Sequence, residues 1–466
     1  MICASTARRT FRLRPISLVL AAMAAAPAWA PQAAAQPAGS APAAAPAPAA
    51  GSAGESQVVE VMGNVLGMRQ TRANVRITAA DLDFYPPGVS ADKILERVSG
   101  IQLGSSNPFG GDGFESTINM RGFNKDSIGF SIDGVPNGRT TLGGGSVPTR
   151  FVDSPNLAGV DVSQSAGVVG SPSHQSLAGH VNYLTDDPSR KFGLRAELAG
   201  GTASFGRAFA RIDTGELARG LTSYLSVSRQ QWQVSYVDNP AGRNSRDHVD
   251  FKAVARLDGG AVVKFWLGWN DRQETSGTNI VTLRQFRTNP RVDGYTDVWT
   301  GVPATDRNFR GLKGNPREDL LSYVDATIPL GESLKLTAKV YQHEQEGVGK
   351  EAGLGNGGFP GMDGRATSLY FRANEFNMTR RGALAELAGR QSDWLDWRAG
   401  AWIERNRRAQ LRRWYPVIDE SKGPDWSATP DATSEDKRWV NDIQMVYAAN
   451  RTSLMEGRLR LDYGVT

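Results

Sequence analysis

The strongest constraint on this chain is the alternation of apolar and polar residues with a period of two in the long segments of its C-terminal half. The alternation runs for about ten positions on either side of the turn at Asp258-Gly259-Gly260, which is the length that a membrane-crossing strand requires. A hairpin of this kind has one apolar and one polar face. Its apolar face contains Val249, Phe251, Ala253, Ala255, Leu257, Val263, Phe265, Leu267 and Trp269.

The same alternation recurs around the turns at 329–332 and 391–394. Long polar stretches separate the hairpins, so short turns on one side face long connections on the other, as in outer-membrane β-barrels. We expect roughly eleven strands between residues 192 and 466, with the apolar face toward lipid and the polar face toward the lumen. A soluble β-sandwich is the alternative, but it rarely needs such long strands. The polar stretches are 271–317, 346–375 and 409–436.

Composition excludes several other classes of protein. Cys3 is the only cysteine of the 466 residues, so disulfides within the chain and thiolate zinc sites are excluded. The 53 basic and 48 acidic residues leave a net charge of +5, which is too dilute for a typical nucleic-acid binder. No apolar run after the N-terminus is long enough for a membrane helix.

Sequence signatures of catalysis are not found. The chain has neither a G-x-x-x-x-G-K-[ST] nucleotide loop nor a G-x-S-x-G nucleophile elbow. The four histidines are scattered, and the segment 343–346 (HEQE) lacks the second histidine of a zinc protease, so we interpret it as polar residues at a strand end. We therefore expect no enzyme activity, no cofactor and no metal site.

The N-terminus has the layout of an export signal followed by a linker. Four arginines precede an apolar run that ends in small residues, which predicts a signal peptide over 1–35, cut after Ala30 or Ala35. Residues 36–54 are rich in Pro, Ala, Gly and Ser, which predicts a flexible tether. The arginines are Arg8, Arg9, Arg12 and Arg14.

Between the tether and the alternating segments, the pattern predicts a small mixed α/β domain. Helical spacing is found in 77–82 and 90–103, where Ser90 is a helix cap and Ile94, Leu95 and Val98 share one face. Strand signals follow in 117–123, 127–138 and 180–185. This domain has an ordinary size, at about 120 residues.

Three motifs in this domain resemble the plug of TonB-dependent outer-membrane receptors. SADKILERVSGIQL is similar to the plug helix, MRGF followed by FSIDGVPNG to the "RG…VDGVP" pair, and LAGVDVSQSAGVVG…LAGHVNYLT to the plug's exit. The exit motif departs from the family at Gln164-Ser165-Ala166, where Lys-Gly-Pro is usual. The three motifs occur in the family's order and spacing.

The resemblance implies a mixed fold, in which a small α/β plug domain over 67–188 precedes an antiparallel transmembrane β-barrel over 190–466. The family's barrels have about 22 strands. We therefore expect that the chain contains only the N-terminal part of the barrel and that the C-terminal part is missing.

The segment 55–66 occupies the position of the family's Ton box, which pairs with a TonB-type energy-coupling protein of the inner membrane. An apolar patch on a flexible tether is suited to adding a strand to a partner's sheet edge. The alternative interpretation of this segment is a valine cluster without function. The segment departs from the common form of the Ton box at Glu60 and Met62. The expected TonB-binding residues are Glu55, Ser56, Gln57, Val58, Val59, Glu60 and Val61.

Further site residues are expected in the plug's loops and turns. Glycine-rich loops 104–113 and 138–145 are expected at the outward-facing apices, which makes Phe109, Arg139 and Arg150 candidate ligand contacts. We predict a structural role for two dipeptides, which should form turns and a buried ion pair. They are Arg121-Gly122 and Asp133-Gly134.

The resemblance implies a receptor in the outer membrane of a Gram-negative bacterium that imports a scarce ligand, most simply a ferric siderophore. Alternative ligands are a carbohydrate, cobalamin or haem. A passive porin or adhesin barrel without energy coupling is an alternative function. A signal transducer with an added N-terminal domain is disfavoured, because the tether is not expected to hold a folded domain.

Overall fold

A computed structural model describes residues 74–105, 109–110, 117–138, 152–164, 169–173, 176–233, 243–275, 281–354, 369–417 and 429–466. Residues 55–61, Arg139 and Arg150, for which sites are predicted, lie outside these ranges. In the ranges described, no helix is both long and apolar enough to cross a membrane.

The N-terminal part of the described chain forms two small sheets. Its strands are β1 Asn74–Thr78, β2 Ile101–Gly104, β3 Thr117–Met120, β4 Phe123–Asn124, β5 Ile128–Ile132, β6 Val135–Pro136, β7 Leu157–Ser163 and β8 Gly179–Thr185. One sheet has the order β1-β7-β8-β5-β6 and the other the order β2-β3-β4. Strands β5 and β8 are parallel, whereas the other described pairs are antiparallel.

The two predicted helices are present but short. Helix α1 spans Ala79–Leu82 and begins at a capping box of Thr78 and Asp81. Helix α2 spans Ala91–Ile94, where the Ser90 hydroxyl accepts from the Lys93 amide, and a 3₁₀ turn over Leu95–Arg97 continues it. Tightening into the 3₁₀ turn brings the predicted apolar face of this segment into the core of the plug.

The C-terminal part is one antiparallel sheet of 11 strands in sequence order, which confirms the fold class. Each strand pairs antiparallel with the next. The strands are β9 Phe192–Gly200, β10 Gly206–Ala218, β11 Leu221–Gln233, β12 Arg243–Arg256, β13 Val262–Gln273, β14 Arg317–Pro329, β15 Leu334–Leu354, β16 Leu369–Ser392, β17 Leu395–Pro416, β18 Ala432–Leu454 and β19 Leu459–Val465.

The sheet has two unlike ends. Short turns join β10 to β11, β12 to β13, β14 to β15, β16 to β17 and β18 to β19 at what we call the short-turn end. The opposite, long-loop end carries the connection over 274–316, which contains helices α3 Leu283–Thr288 and α4 Pro303–Asp306. Phe309 and Leu312 of this connection pack with Phe371 and Tyr415 of the strands.

The alternation places polar side chains inward and apolar ones outward. On β13, Lys264, Asn270 and Arg272 are buried, whereas Val340 and Ile403 on the outer face of β15 and β17 are each 56% exposed. The plug core continues into the wall through inward-facing Trp266, Leu321, Tyr323 and Tyr341 of β13 to β15.

Two expectations about the strands are wrong. The polar stretches 346–375 and 409–436 are in part strand, because the β15–β16 and β16–β17 ladders continue in register toward the long-loop end. Strands with polar residues on both faces lack the alternation that marks a half-buried strand. His343 also lies inside β15 and is fully buried rather than at a strand end.

Gly179 offers a test of the plug's packing. Its φ is +143°, and an added Cβ would lie 2.0 Å from the Ser163 carbonyl oxygen and 2.7 Å from the Met120 sulfur. We expect Gly179→Ala to force β7 and β8 apart, and to lower the temperature at which the plug becomes susceptible to limited proteolysis.

Gly122→Ala is the matched control for Gly179→Ala. Gly122 has a φ of +83°, but no heavy atom lies within 4 Å of an added Cβ. Its expected cost is only the backbone strain of about 1 kcal/mol. Equal shifts for the two variants would contradict the packing argument.

Candidate functional site

Two tight turns hold the plug's short hairpins. Asp133 and Gly134, with φ of +48° and +79°, form the turn between β5 and β6. Arg121 and Gly122, with φ of +51° and +83°, form the turn between β3 and β4. Two successive positive φ angles are the geometry of a type I′ hairpin turn, which Gly and Asp tolerate well.

The predicted ion pair between these turns is wrong. The Arg121 side chain is exposed, and its Nε donates to the Gln164 Oε1 at 3.2 Å. Asp133 is buried and accepts from the Thr185 amide at 3.0 Å and from the Tyr323 hydroxyl at 2.5 Å. The two turns belong to different sheets, which motif spacing alone does not reveal.

Asp153 of the plug is clamped by two arginines of the sheet. Its Oδ1 lies 2.9 Å from Arg207 Nη2 and 3.4 Å from Arg246 Nη1, and Arg246 also donates to the Val152 carbonyl at 3.1 Å. Burial alone would raise the pKa of the Asp153 carboxyl, but Arg207, Arg246 and His248 hold it well below its ordinary value. The carboxylate is therefore ionised and compensated inside the protein.

Asp187, which follows the last plug strand, forms a second clamp. Its carboxylate lies 2.7 Å from Lys252 Nζ, 2.9 Å from Lys264 Nζ and 3.8 Å from Arg256. Burial opposes ionisation here too, but the two lysines lower the pKa of Asp187 to about 2. The end of the plug is thus tied by charge to β12 and β13.

Other cations of the sheet donate to plug carbonyl groups. Arg380 donates to the Gly138 carbonyl at 3.1 Å and is itself held by Glu404 at 3.0 Å. Arg398 donates to the Val169 carbonyl at 2.5 Å, and Lys252 to that of Thr185 at 3.1 Å. We give the name wall cations to six of the sheet cations that contact the plug. They are Arg207, Arg246, Lys252, Lys264, Arg380 and Arg398.

The wall cations were not predicted as a site. Lys252 and Lys264 stand on the polar face of the predicted hairpin, so the alternation could have marked them as inward-facing. The acidic pair Asp186-Asp187 directly after the plug's exit was the matching signal on the other side. Neither sequence signal predicts which carboxylate pairs with which cation.

A buried histidine lies in the middle of the plug. Ser131 donates to the Asn182 Oδ1 at 2.7 Å, so the Ser131 oxygen is left to accept from His180 Nε2 at 2.8 Å. Burial lowers the pKa of His180 to about 4, which keeps the ring neutral at ordinary pH. Its role is packing inside the sheet, and the arrangement offers no catalytic base with access to solvent.

Phe109, a predicted ligand contact, lies at the long-loop end of the sheet. Its ring stacks on Phe205, in the turn between β9 and β10, with centroids 3.9 Å apart and an interplanar angle of 6°. Its carbonyl accepts from the Ser90 amide at 2.8 Å, which ties the segment to the start of α2. Phe109 is therefore partly covered by the sheet.

Above the plug, the inner face of the strands carries arginines paired with aromatic rings. A guanidinium group can stack on a ring face, and its planar set of N–H donors matches carboxylate and phosphate groups. We call this surface the arginine–aromatic wall. Its pairs are Arg272 over Trp232 at 5.5 Å, Arg317 over Phe376 at 4.4 Å, Arg372 over Trp414 at 5.8 Å and Arg408 over Trp439 at 5.2 Å.

The arginine–aromatic wall is partly open. The side chain of Arg372 is 27% exposed beside Glu351, and that of Arg412, 2.6 Å from Glu435, is 31% exposed. Across the described ranges, no group of three or more His, Cys, Asp or Glu is placed to hold a metal ion. The wall can therefore contact a charged ligand as a whole, but its residues offer no direct ligation of a bare ion.

Comparison with known protein families identifies the N-terminal part. Residues 68–174 match the TonB-dependent Receptor Plug Domain family. No curated protein matches the chain in sequence.

Solved structures match the chain across both parts. The pyoverdine outer membrane receptor FpvA from Pseudomonas aeruginosa PAO1 has 14% identity and a TM-score of 0.61, covering 85% of this chain and 56% of that one. The siderophore receptor PiuA from Acinetobacter baumannii has 13% identity and a TM-score of 0.57, covering 84% and 56%. The ferric-catecholate import receptor Fiu from E. coli K12 has 16% identity and a TM-score of 0.58, covering 85% and 59%. This chain thus spans little more than half the length of these proteins.

Asp153→Asn tests the clamp between plug and sheet. The substitution leaves Arg246 buried without its paired carboxylate and Arg207 with Glu197 as its remaining partner. Loss of one partner of a buried pair typically costs about 3–5 kcal/mol. We expect amide hydrogen exchange over 152–164 to become faster by a factor of at least about 100, as each 1.4 kcal/mol is about tenfold.

Arg76→Gln, in β1 of the plug, is the matched control for Asp153→Asn. It removes the Arg76–Asp161 pair, whose arginine side chain is 40% exposed, so its cost should stay below about 1 kcal/mol. A similar acceleration of exchange in both variants would show that burial of the clamp is irrelevant.

Proposed function

We propose that this chain, which carries the plug domain and the barrel fold of TonB-dependent receptors, imports an anionic ferric siderophore across the outer membrane with energy from a TonB-type protein. The observation that carries the ligand class is the arginine–aromatic wall. Its guanidinium groups face inward on four long strands, β13, β14, β16 and β17, above the plug.

A ferric chelate with carboxylate, catecholate or hydroxamate oxygens presents a charged or aromatic surface. Guanidinium groups bind such oxygens through charge-assisted hydrogen bonds, and ring faces contact aromatic chelators. A neutral carbohydrate would make no use of the positive charge on this wall. A haem receptor would be expected to offer accessible histidines, but His248 and His343 are buried.

The wall cations support energy coupling. They hold the plug through buried charge pairs, and pairs of this kind cost several kcal/mol to break. A passive pore has no source of such energy, whereas a pull on residues 55–61 through an added strand would supply it. A passive porin or adhesin would have no need of the charge pairs that Asp153 and Asp187 form with the wall cations.

The coupling role is tested by deleting residues 55–61 in the protein expressed in the outer membrane of a siderophore-deficient Gram-negative host. We expect uptake of ⁵⁵Fe-labelled chelate to be lost while binding at the cell surface stays unchanged, because the deletion leaves the plug and the wall intact. Deletion of the equally long tether segment 38–44 should leave uptake unchanged. Uptake that survives both the 55–61 deletion and collapse of the proton-motive force would instead support a porin.

The ligand class is tested by Arg317→Gln combined with Arg408→Gln. Each arginine should contribute a charged hydrogen bond of about 1.5 kcal/mol or more, so affinity for ferric citrate or a ferric tris-catecholate should fall at least about 100-fold. Arg229→Gln is the control, because Arg229 has a 52% exposed side chain beside Asp247 on the outer face. Unchanged affinity for every anionic chelate, with tight binding of a neutral ligand, would overturn the assignment.

A further inference from the structure

A row of carboxylates crosses the outer face of the sheet, one residue on each strand from β12 to β15. The four residues are aligned with one another in the strand register, so neighbours in the row are about 5 Å apart. Like charges in this position repel one another. Within the described ranges, Asp247 alone has a nearby cation, Arg229 at 3.7 Å. We call these residues the acidic row. They are Asp247, Asp271, Glu318 and Glu346.

The next two strands, β16 and β17, carry arginines on the same face. Arg381 is aligned with Arg405, and Arg407 is the next outward-facing residue of β17. All three are exposed. Arg405 is paired with Asp442 at 2.6 Å. Arg381 and Arg407 have no ion-pair partner among the residues that the structure describes. We call the three arginines the basic cluster.

Both charged regions lie at the same boundary of the outer face. On β13 the outward-facing residue next to Asp271 is Trp269, and on β16 the one next to Arg381 is Ala383. Each charged region therefore begins where the apolar part of its strands ends toward the long-loop end. At this boundary the outer face is acidic over β12 to β15 and basic over β16 and β17.

An apolar groove lies where the two charged regions meet, on their short-turn side. It is lined from β14 to β17 by five alanines and by branched side chains, and its volume is about 470 Å³. Among the branched residues, Val340 and Ile403 are each 56% exposed. In lipid, protein surfaces associate mainly through close packing, which small side chains permit. The alanines are Ala326, Ala338, Ala383, Ala385 and Ala401.

We propose that this surface is an interface between two copies of the chain, in which the acidic row of each copy faces the basic cluster of the other. The inference goes beyond ligand import, but it rests on the proposed location in the outer membrane. A twofold axis along the membrane normal brings the left side of one surface against the right side of its copy. A surface that is acidic on one side and basic on the other is therefore complementary to itself.

The groove occupies the place that this symmetry requires. It lies between the two charged regions, so the twofold axis passes close to it, and its alanines allow the two sheets to approach most closely there. Opposed charges at the boundary fix which way the copies face, and they relieve the repulsion within the acidic row and within the basic cluster. The apolar contact and the charge contact thus specify the same arrangement.

Cross-linking in isolated outer membranes tests where the axis passes. Cys3 is the only cysteine of the chain and lies in the predicted signal peptide, so a single introduced cysteine reports its own contacts. We expect Ala383→Cys, in the groove, to form a disulfide-linked dimer under mild oxidation. Leu225→Cys is the matched control, because Leu225 is 44% exposed on the outer face of β11, and it should stay monomeric.

Charge reversal tests whether the opposed charges hold the two copies together. Arg381→Glu combined with Arg407→Glu makes both sides of the surface acidic, and Asp271→Lys combined with Glu318→Lys makes both sides basic. We expect each double variant, measured by light scattering in mild detergent, to dimerise at least about tenfold more weakly than the parent. A mixture of the two double variants, carrying different tags, should pair again as a mixed dimer.

Arg390→Glu is the control for charge reversal. Arg390 is paired with Asp396 at the short-turn end, so this variant should dimerise like the parent. Folding of each variant is checked by the heat-modifiable mobility of the barrel.

Three outcomes would overturn the interface. They are a parent protein that is monomeric in the outer membrane, equal cross-linking of the Ala383→Cys and Leu225→Cys variants, and folded double variants that do not pair when mixed. Recovery of the parent in the soluble fraction would instead refute the proposed membrane location. A dimer that forms as expected in a protein that fails to import iron would support the interface and contradict only the proposed import.

Discussion

The burial of charge between the plug and the inner face of the sheet is the interaction on which the rest of the structure depends. Asp153 and Asp187 enter a region where an unpaired carboxylate would be strongly disfavoured, and the wall cations compensate them. Because each cation stands on a polar, inward-facing strand position, the alternation that builds the sheet also builds the site. The strand pattern that forms the sheet therefore also fixes the position of the plug.

This arrangement makes a strongly held plug compatible with the transport proposed above. Buried pairs contribute little net stability compared with apolar packing, yet they are costly to break one partner at a time. They therefore hold the plug in one register, in addition to the apolar packing of Trp266, Leu321 and Tyr323 with the plug core. In the proposed mechanism, a pull from the N-terminal side moves Asp187 and its neighbours away from β12 and β13, and the ligand bound at the arginine–aromatic wall follows.

Much of the fold, but little of the site, could be predicted from the sequence. The hairpin around 258–260 shows its two faces directly, so the inward positions of Lys252 and Lys264 follow from the pattern. Their partner Asp187 lies 65 and 77 positions away along the chain, and the pairing depends on how deeply the plug sits. Strand ends with two polar faces resemble loops in sequence, so the extensions that carry Arg372 and Arg412 were not predicted as strands.

The most direct test of the central claim is hydrogen exchange over residues 179–188 in the intact protein when Lys252 and Lys264 are both replaced by Met. We expect at least tenfold faster exchange in this segment, because Asp187 would be left buried without its lysines, while β12 and β13 keep their own protection. Unchanged exchange over 179–188, with β12 and β13 equally intact, would contradict the claim that wall charges hold the plug in place.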